Sequence, residues 1–214
     1  MAQRLALSGI KARVRRLQRW LRQIRQWVYM QEDFLWLQIQ LPNIPEGEML
    51  STAVRVYAFE ERWAFLSILP QELVVRLARL WEVLPQSWVF AHAAEGTPVA
   101  YYCFVTTGTM WIEEFGLQRV FAPYEAYVHT CYALPGYRGR RLHSRTLQAV
   151  CAWLSQRGFR RAFAVVSTKN TPSLRGFQRA GFEIVGYAVH RRFLGRLQRP
   201  QPVWRHRGDN GQSP

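Results

Sequence analysis

Residues 132–182 of the chain carry two clusters with the chemistry of an anion site. The apolar strand end Tyr132-Ala133-Leu134-Pro135 runs into the basic turn Tyr137-Arg138-Gly139-Arg140-Arg141-Leu142-His143, where a helical pattern opens. A strand cannot keep pairing normally past Pro135. A strand that stops, a glycine-containing turn and a helix start together aim free backbone N–H groups and a positive helix end at one point, which suits phosphate or pyrophosphate. Arg138, Arg140 and Arg141 add side-chain charge, and His143 adds a donor in the first turn. A solvated basic loop is the plainer account of the same residues. One helix and one strand later come Asn170-Thr171-Pro172-Ser173, then Phe177 and Gly181-Phe182. Asn170 and Ser173 are also ordinary helix-capping types, so the order of the two clusters carries more than either alone.

Residues that could move a proton lie just upstream. Residues 125–134 read as a strand, and its odd positions, Glu125, Tyr127, His129 and Cys131, would share one face. Glu125 and His129 are the candidate catalytic bases for an attacking amine; the competing accounts are a surface charge at a strand start and a hydrogen-bonded strand histidine. Glu113 and Glu114 read as loop charges. Tyr57, Trp63, Tyr102 and Trp111 could line an acceptor pocket, although core packing is the commoner place for aromatic rings. Cys103, Cys131 and Cys151 are too widely spaced for metal ligation and read as buried small hydrophobes in a reducing compartment. No metal is expected.

The elements that must position these groups follow from periodicity. The spacing predicts strands over 53–59, 87–92, 99–106, 125–134, 161–167 and 182–193, with a turn at Glu95-Gly96. It predicts helices over 70–84, with Leu73, Val74, Leu77, Leu80 and Trp81 on one face, over 139–158, with Leu147, Val150, Cys151 and Leu154 inward, and over 172–180, closed by Gly181. The fold class is therefore α/β, a mixed sheet with flanking helices. At 214 residues with a 49% hydrophobic share, the chain is long enough for one domain with a real core plus extensions.

Outside that domain the sequence changes character. Leu7, Ile10, Val14, Leu17, Leu21, Ile24 and Val28 make one helical stripe over residues 1–30, flanked by Trp20 and Trp27, with arginines on the other faces and no acid before Glu32. Such a basic amphipathic helix packs on its own domain or on a partner subunit, as in a homodimer, or lies at a membrane surface; nucleic-acid phosphate is the least favoured partner. Pro42, Pro45 and Gly47 mark a linker, and the residues after about Gly195 read as a loose tail. The expected division is 1–44 helix and linker, 45–196 domain, 197–214 tail. Lys+Arg is 29 against Asp+Glu 14, a net charge of +15 carried almost wholly by arginine, which suits bidentate contact with phosphate and carboxylate and also follows from GC-rich codon usage. With no signal peptide pattern and no apolar run long enough to span a bilayer, the sequence predicts a cytoplasmic protein, or one peripheral to a membrane.

The two clusters and the strand–helix order resemble the GNAT family of acyl-CoA-dependent N-acyltransferases. The family's signature places Arg or Gln, two residues, Gly, one residue, then Gly or Ala; Arg138 takes the first place. Its second pattern is Asn, two residues, Ser, three residues, Tyr, three residues, Gly-Phe; here these are Asn170, Ser173, Phe177, Gly181 and Phe182. The resemblance implies a mixed sheet flanked by helices and acetyl-CoA as acyl donor. Ala133 and Leu134 would pair with the pantetheine arm, and Arg138, Gly139, Arg140, Arg141, Leu142 and His143 would hold the pyrophosphate. Asn170, Ser173 and Phe177 would lie along the carrier's other side. The implied reaction is N-acetyltransfer by direct attack of a small-molecule or peptide amine, with an anionic group on the acceptor suggested by the basic balance.

Three positions depart from the pattern. Arg141 and His143 stand where the family has Gly and Gly or Ala, and Phe177 stands where a tyrosine often protonates the leaving thiolate. A thiol of pKa about 8.5 can leave unaided near neutral pH, so that loss lowers a rate rather than abolishing it. The departures keep open an inactive binding or regulatory module at a membrane surface or nucleic acid. A relative that takes its acyl group from a charged tRNA or carrier protein also stays open.

Overall fold

A computed structural model describes residues 29–41, 53–112, 114, 117–193, 196–198 and 203–204. The amphipathic stripe before Tyr29 and the linker around Pro45 lie outside the described residues.

The strands are β1 (Tyr29–Gln40), β2 (Val54–Tyr57), β3 (Ser87–Ala94), β4 (Thr97–Thr106), β5 (Thr109–Ile112), β6 (Leu117–Val120), β7 (Glu125–Ala133), β8 (Arg161–Ser167), β9 (Glu183–Phe193), β10 (Arg196–Gln198) and β11 (Val203–Trp204). The helices are α1 (Arg62–Leu66), α2 (Gln71–Val83), α3 (Leu142–Gln156) and α4 (Thr171–Arg179). One sheet runs β10-β9-β1-β8-β7-β4-β3-β2, with β11 also on β9; β5 and β6 form a separate hairpin. Among the described residues only β7 and β8 pair in parallel, as expected where a helix, α3, connects the two.

The second crossover, β8–α4–β9, skips a place in the sheet. β1 fills it, antiparallel to β8 along Phe34–Gln40 and to β9 along most of its length. The sequence predicts no strand here. Phe34, Leu35, Trp36, Leu37 and Ile39 form a near-continuous apolar run, because a central strand is covered on both faces and does not alternate. Trp36 packs with Tyr127 and Phe163 on one face, and Leu37 joins the α3 side on the other. Beyond Gly195, where a loose tail is expected, β10 and β11 pair with β9.

Helices α3 and α4 cover one face of the sheet over Phe90, Tyr101, Cys103, Val105, Ala126, Val128 and Ala164. On the other face α1 and α2 cover Val89, Ala91, Tyr102 and Phe104. The β5–β6 hairpin there covers Trp36, Tyr127 and Phe163 through Ile112 and Phe121.

Because β1 is interior, Trp36→Ala should lower the unfolding free energy by about 3–5 kcal/mol, as for large aromatic residues lost from cores. Denaturant titration would measure it; a change within about 0.5 kcal/mol, typical of surface sites, would mean that β1 is not seated between β8 and β9.

Candidate active site: a cleft between two parting strands

β7 and β8 are hydrogen-bonded neighbours only where Glu125–Val128 faces Arg161–Ala164. β7 then continues to Ala133 and β8 to Ser167 without pairing each other, and a cleft of about 740 Å³ opens where they part. It lies at the carboxyl ends of two parallel strands, where open α/β sheets bind ligands. The segment after β7 leads into α3 and the segment after β8 into α4, so the N-termini of both helices border it.

The basic turn that the sequence offers as an anion cradle borders the cleft. Arg138, Gly139, Arg140, Arg141, Leu142, His143 and Ser144 line one wall. Gly139 has φ 79°, a backbone state that glycine adopts freely. The first turn of α3 holds no acid, so its amide N–H groups and positive end stay available to an anion. Asn170, Thr171, Pro172, Ser173, Arg175, Gly176 and Arg179 line the opposite wall. Asn170 accepts a 3.3 Å hydrogen bond from Ser173 N–H, which caps α4. Arg175 and Arg179 were missed by sequence reading, although their spacing of four from Thr171 puts all three on one helical face. Five arginines thus surround the cleft, and among the described residues no carboxylate lines it. Such a site favours a polyanion.

Residues 55–182 match the family model described as the acetyltransferase (GNAT) family. The chain belongs to the GNAT family. Its fold is similar to that of a GNAT-family acetyltransferase from Novosphingobium aromaticivorans, at 16% identity and TM-score 0.52, over 75% of this chain and 63% of that one. It is also similar to a GCN5-related N-acetyltransferase from Sphaerobacter thermophilus, at 17% identity and TM-score 0.50, over 81% and 56%. A conserved protein of unknown function from Staphylococcus epidermidis matches at 9% identity and TM-score 0.52, over 80% and 65%. This chain thus spans less than two thirds of the length of each of these structures. Among curated protein sequences none matches it.

Of the carrier-binding residues that the GNAT resemblance implies, Ala133, Arg138, Gly139, Arg140, Arg141, Leu142, His143, Asn170 and Ser173 all line the cleft. Leu134 does not; its N–H continues the β4 ladder by donating to Ala100 O at 2.9 Å. Phe177 does not either. It is 3% exposed and packs edge-on against His143 and Phe182, with ring centroids 4.8 and 5.0 Å away.

The proposed bases are not brought to the cleft. Glu125 starts β7, about 20 Å of strand from Cys131 at roughly 3.3 Å per residue, and forms a 2.6 Å ion pair with Arg161 while accepting from Ala122 N–H. His129 sits on the other face of the sheet, stacked on Tyr127. Its ring nitrogens bond the hydroxyls of Thr106 at 2.7 Å and Thr130 at 2.9 Å. Burial pushes its pKa down to about 3, which leaves it neutral and a weak base.

The shared face expected for Glu125, Tyr127, His129 and Cys131 is broken by a bulge. Tyr102 pairs with Tyr132 and Phe104 with His129, so Cys103 faces both Thr130 and Cys131. Thr130 has φ 49°, a strained state for a β-branched residue. The extra residue turns Cys131 away from Tyr127 and toward the α3 face, where it borders the cleft beside Tyr101 and Ala133.

His143 shows how a bulky side chain is admitted where the family has Gly or Ala. Its ring points away from the anion cradle, toward β4 and α4. Nδ1 bonds the Tyr101 hydroxyl at 2.7 Å and Nε2 donates to Ser173 O at 3.2 Å. The space comes from Gly176, where an added Cβ would overlap the ring, lying 2.8 Å from Nε2 and nearer still to Cδ2. Arg141, in the place of the signature glycine, keeps the left-handed backbone that a glycine would adopt, at φ 58°.

Two stability measurements check this account. Gly176→Ala should destabilise by about 1–3 kcal/mol through overpacking. In a His143→Gly background the same change should be neutral or stabilising by about 0.5–1 kcal/mol, the ordinary gain for glycine to alanine within a helix. Equal costs in both backgrounds would break the link between the two residues. Arg141→Gly should stabilise by up to about 1 kcal/mol, since the left-handed conformation costs other residues roughly that much; a loss of stability would show that position 141 is not strained.

Proposed function

We propose that this protein transfers an acetyl group from acetyl-CoA to a primary amine. The observation that carries the proposal is the cleft itself: two helix N-termini and five arginines converge where the parallel strands part, next to an open edge of β7. The adenosine-side phosphates would take the amides of residues 139–143, with Arg138, Arg140, Arg141, Arg175 and Arg179 around them. The extended pantetheine arm would run along β7 past Ala133, as an added strand pairs with an exposed edge. The thioester would then reach the Cys131–Tyr101 region.

In the net reaction the amine nitrogen bonds the carbonyl carbon, the C–S bond breaks, the thiolate leaves with its electron pair, and the nitrogen loses a proton. Holding both reactants in one cleft supplies much of such a rate. Tyr101 and His143 are the proton-handling groups at this end of the cleft, in place of Glu125 and His129. The acceptor is proposed to carry an anionic group. Arg76 bears on Tyr102 on the face away from α3.

Calorimetry with acetyl-CoA should show one-to-one binding, and Arg138→Glu should weaken it at least about tenfold, the loss of a charge-assisted phosphate contact plus a repulsion. Release of CoA thiol on adding amines should follow, faster with anionic amines than with matched neutral ones. No acetyl-CoA binding would overturn the reading. Binding without turnover on any amine would make the protein a carrier-binding module instead.

A further inference from the structure

Helix α4 carries two charged residues, Arg175 and Arg179, and both line the cleft. Their spacing of four puts them on one face of the helix, where like charges repel. Both are exposed, and among the described residues neither has a carboxylate partner. A repelling, unpaired pair on a cleft wall is stabilised by a ligand that brings negative charge to it.

The cradle across the cleft is furnished without them. Arg138 is held at the end of β7, donating from Nε to Ala133 O at 3.3 Å, and the Arg140 guanidinium lies 5.0 Å from the Tyr137 ring centroid. With Arg141 and the amides at the start of α3 they suit a pyrophosphate diester, which carries one negative charge on each phosphorus. The α4 wall stands close beside this cradle, because His143 Nε2 donates to Ser173 O at 3.2 Å. Arg175 lies two residues beyond Ser173 and Arg179 six, about 3 and 9 Å along the helix axis. A second anionic group, set off from the pyrophosphate by a short spacer, would meet them. CoA has such a group in its 3′-phosphate, a monoester one ribose away from the pyrophosphate, with a charge of about −1.5 to −2 at neutral pH. Two arginines match it in charge and in donor geometry.

We propose that Arg175 and Arg179 form a subsite for the 3′-phosphate of the carrier, so that the cleft selects CoA thioesters over carriers that present the same pantetheine arm without that phosphate. Arg138, Arg140 and Arg141 then serve the pyrophosphate, and α4 reads the nucleotide end. The carriers selected against are 3′-dephospho-CoA and pantetheine arms borne on a protein. The assignment rests on the reading of the cleft as an acetyl-CoA site.

The test is calorimetry on the full chain with acetyl-CoA and with acetyl-3′-dephospho-CoA. Acetyl-CoA should bind at least about tenfold more tightly, the difference expected when hydrogen bonds to a charged group are gained. Arg175→Gln/Arg179→Gln should erase the preference. Its affinity for acetyl-CoA should fall to that for the dephospho carrier, while the latter affinity changes less than about twofold, a negligible free-energy difference. Arg145→Gln removes an exposed arginine of α3 that does not line the cleft. It should keep the preference, which separates a local subsite from the general positive field of the protein. Binding of neither carrier overturns the carrier-site reading and this inference with it. Four results overturn this inference alone: equal affinity for both carriers, a preference that survives the double variant, a preference that Arg145→Gln also erases, or a double variant that loses the dephospho carrier as well.

Discussion

β7 and β8 stay hydrogen-bonded for four residue pairs and then part, and that parting arranges the rest of the molecule. Two strands that separate expose backbone on their inner edges, which is costly unless something pairs with it. On the far side of β8 the exposure is prevented, because β1 occupies the place skipped by the β8–α4–β9 crossover. On the near side it is left open as the cleft. The helices that follow the two strands must then start at its rim, bringing their positive ends and five arginines to one place.

The three departures from the family pattern are settled locally, each by a different device. His143 is accommodated by removing a side chain elsewhere: Gly176 on α4 leaves room for its ring to reach Ser173 O. This ties the α3 start, α4 and β4 together across the floor of the cleft. Arg141 keeps a glycine-like backbone at some cost in strain. Phe177 is absorbed into the core beside Phe182 and His143, which takes it out of the cleft lining. The polar groups left at the reacting end are Tyr101, His143 and Cys131.

What the sequence disclosed and what it hid divide along the range of the interactions. The cradle of Arg138, Gly139, Arg140 and Arg141 was legible because a strand end, a glycine turn and a helix start are local signals. So was the cap of Asn170 on Ser173. The direction of His143 was not, since it depends on Gly176, distant in sequence. β1 was hidden by its burial on both faces, and the β5–β6 hairpin by its shortness. The bulge at Thr130 gave no warning, because a β-branched residue reads as ordinary strand. That one unseen residue misplaced Cys131 on the face of His129.

The central claim is that the amides at the start of α3 hold the pyrophosphate of an acyl carrier although Arg141 and His143 replace small residues there. A crystal structure with CoA bound tests it most directly. The account predicts pyrophosphate oxygens within hydrogen-bond distance of N–H groups of residues 139–143, the pantetheine arm beside Ala133, and the His143 ring still between Tyr101 and Ser173. Pyrophosphate bound elsewhere, or a His143 ring displaced into the cradle, would contradict it.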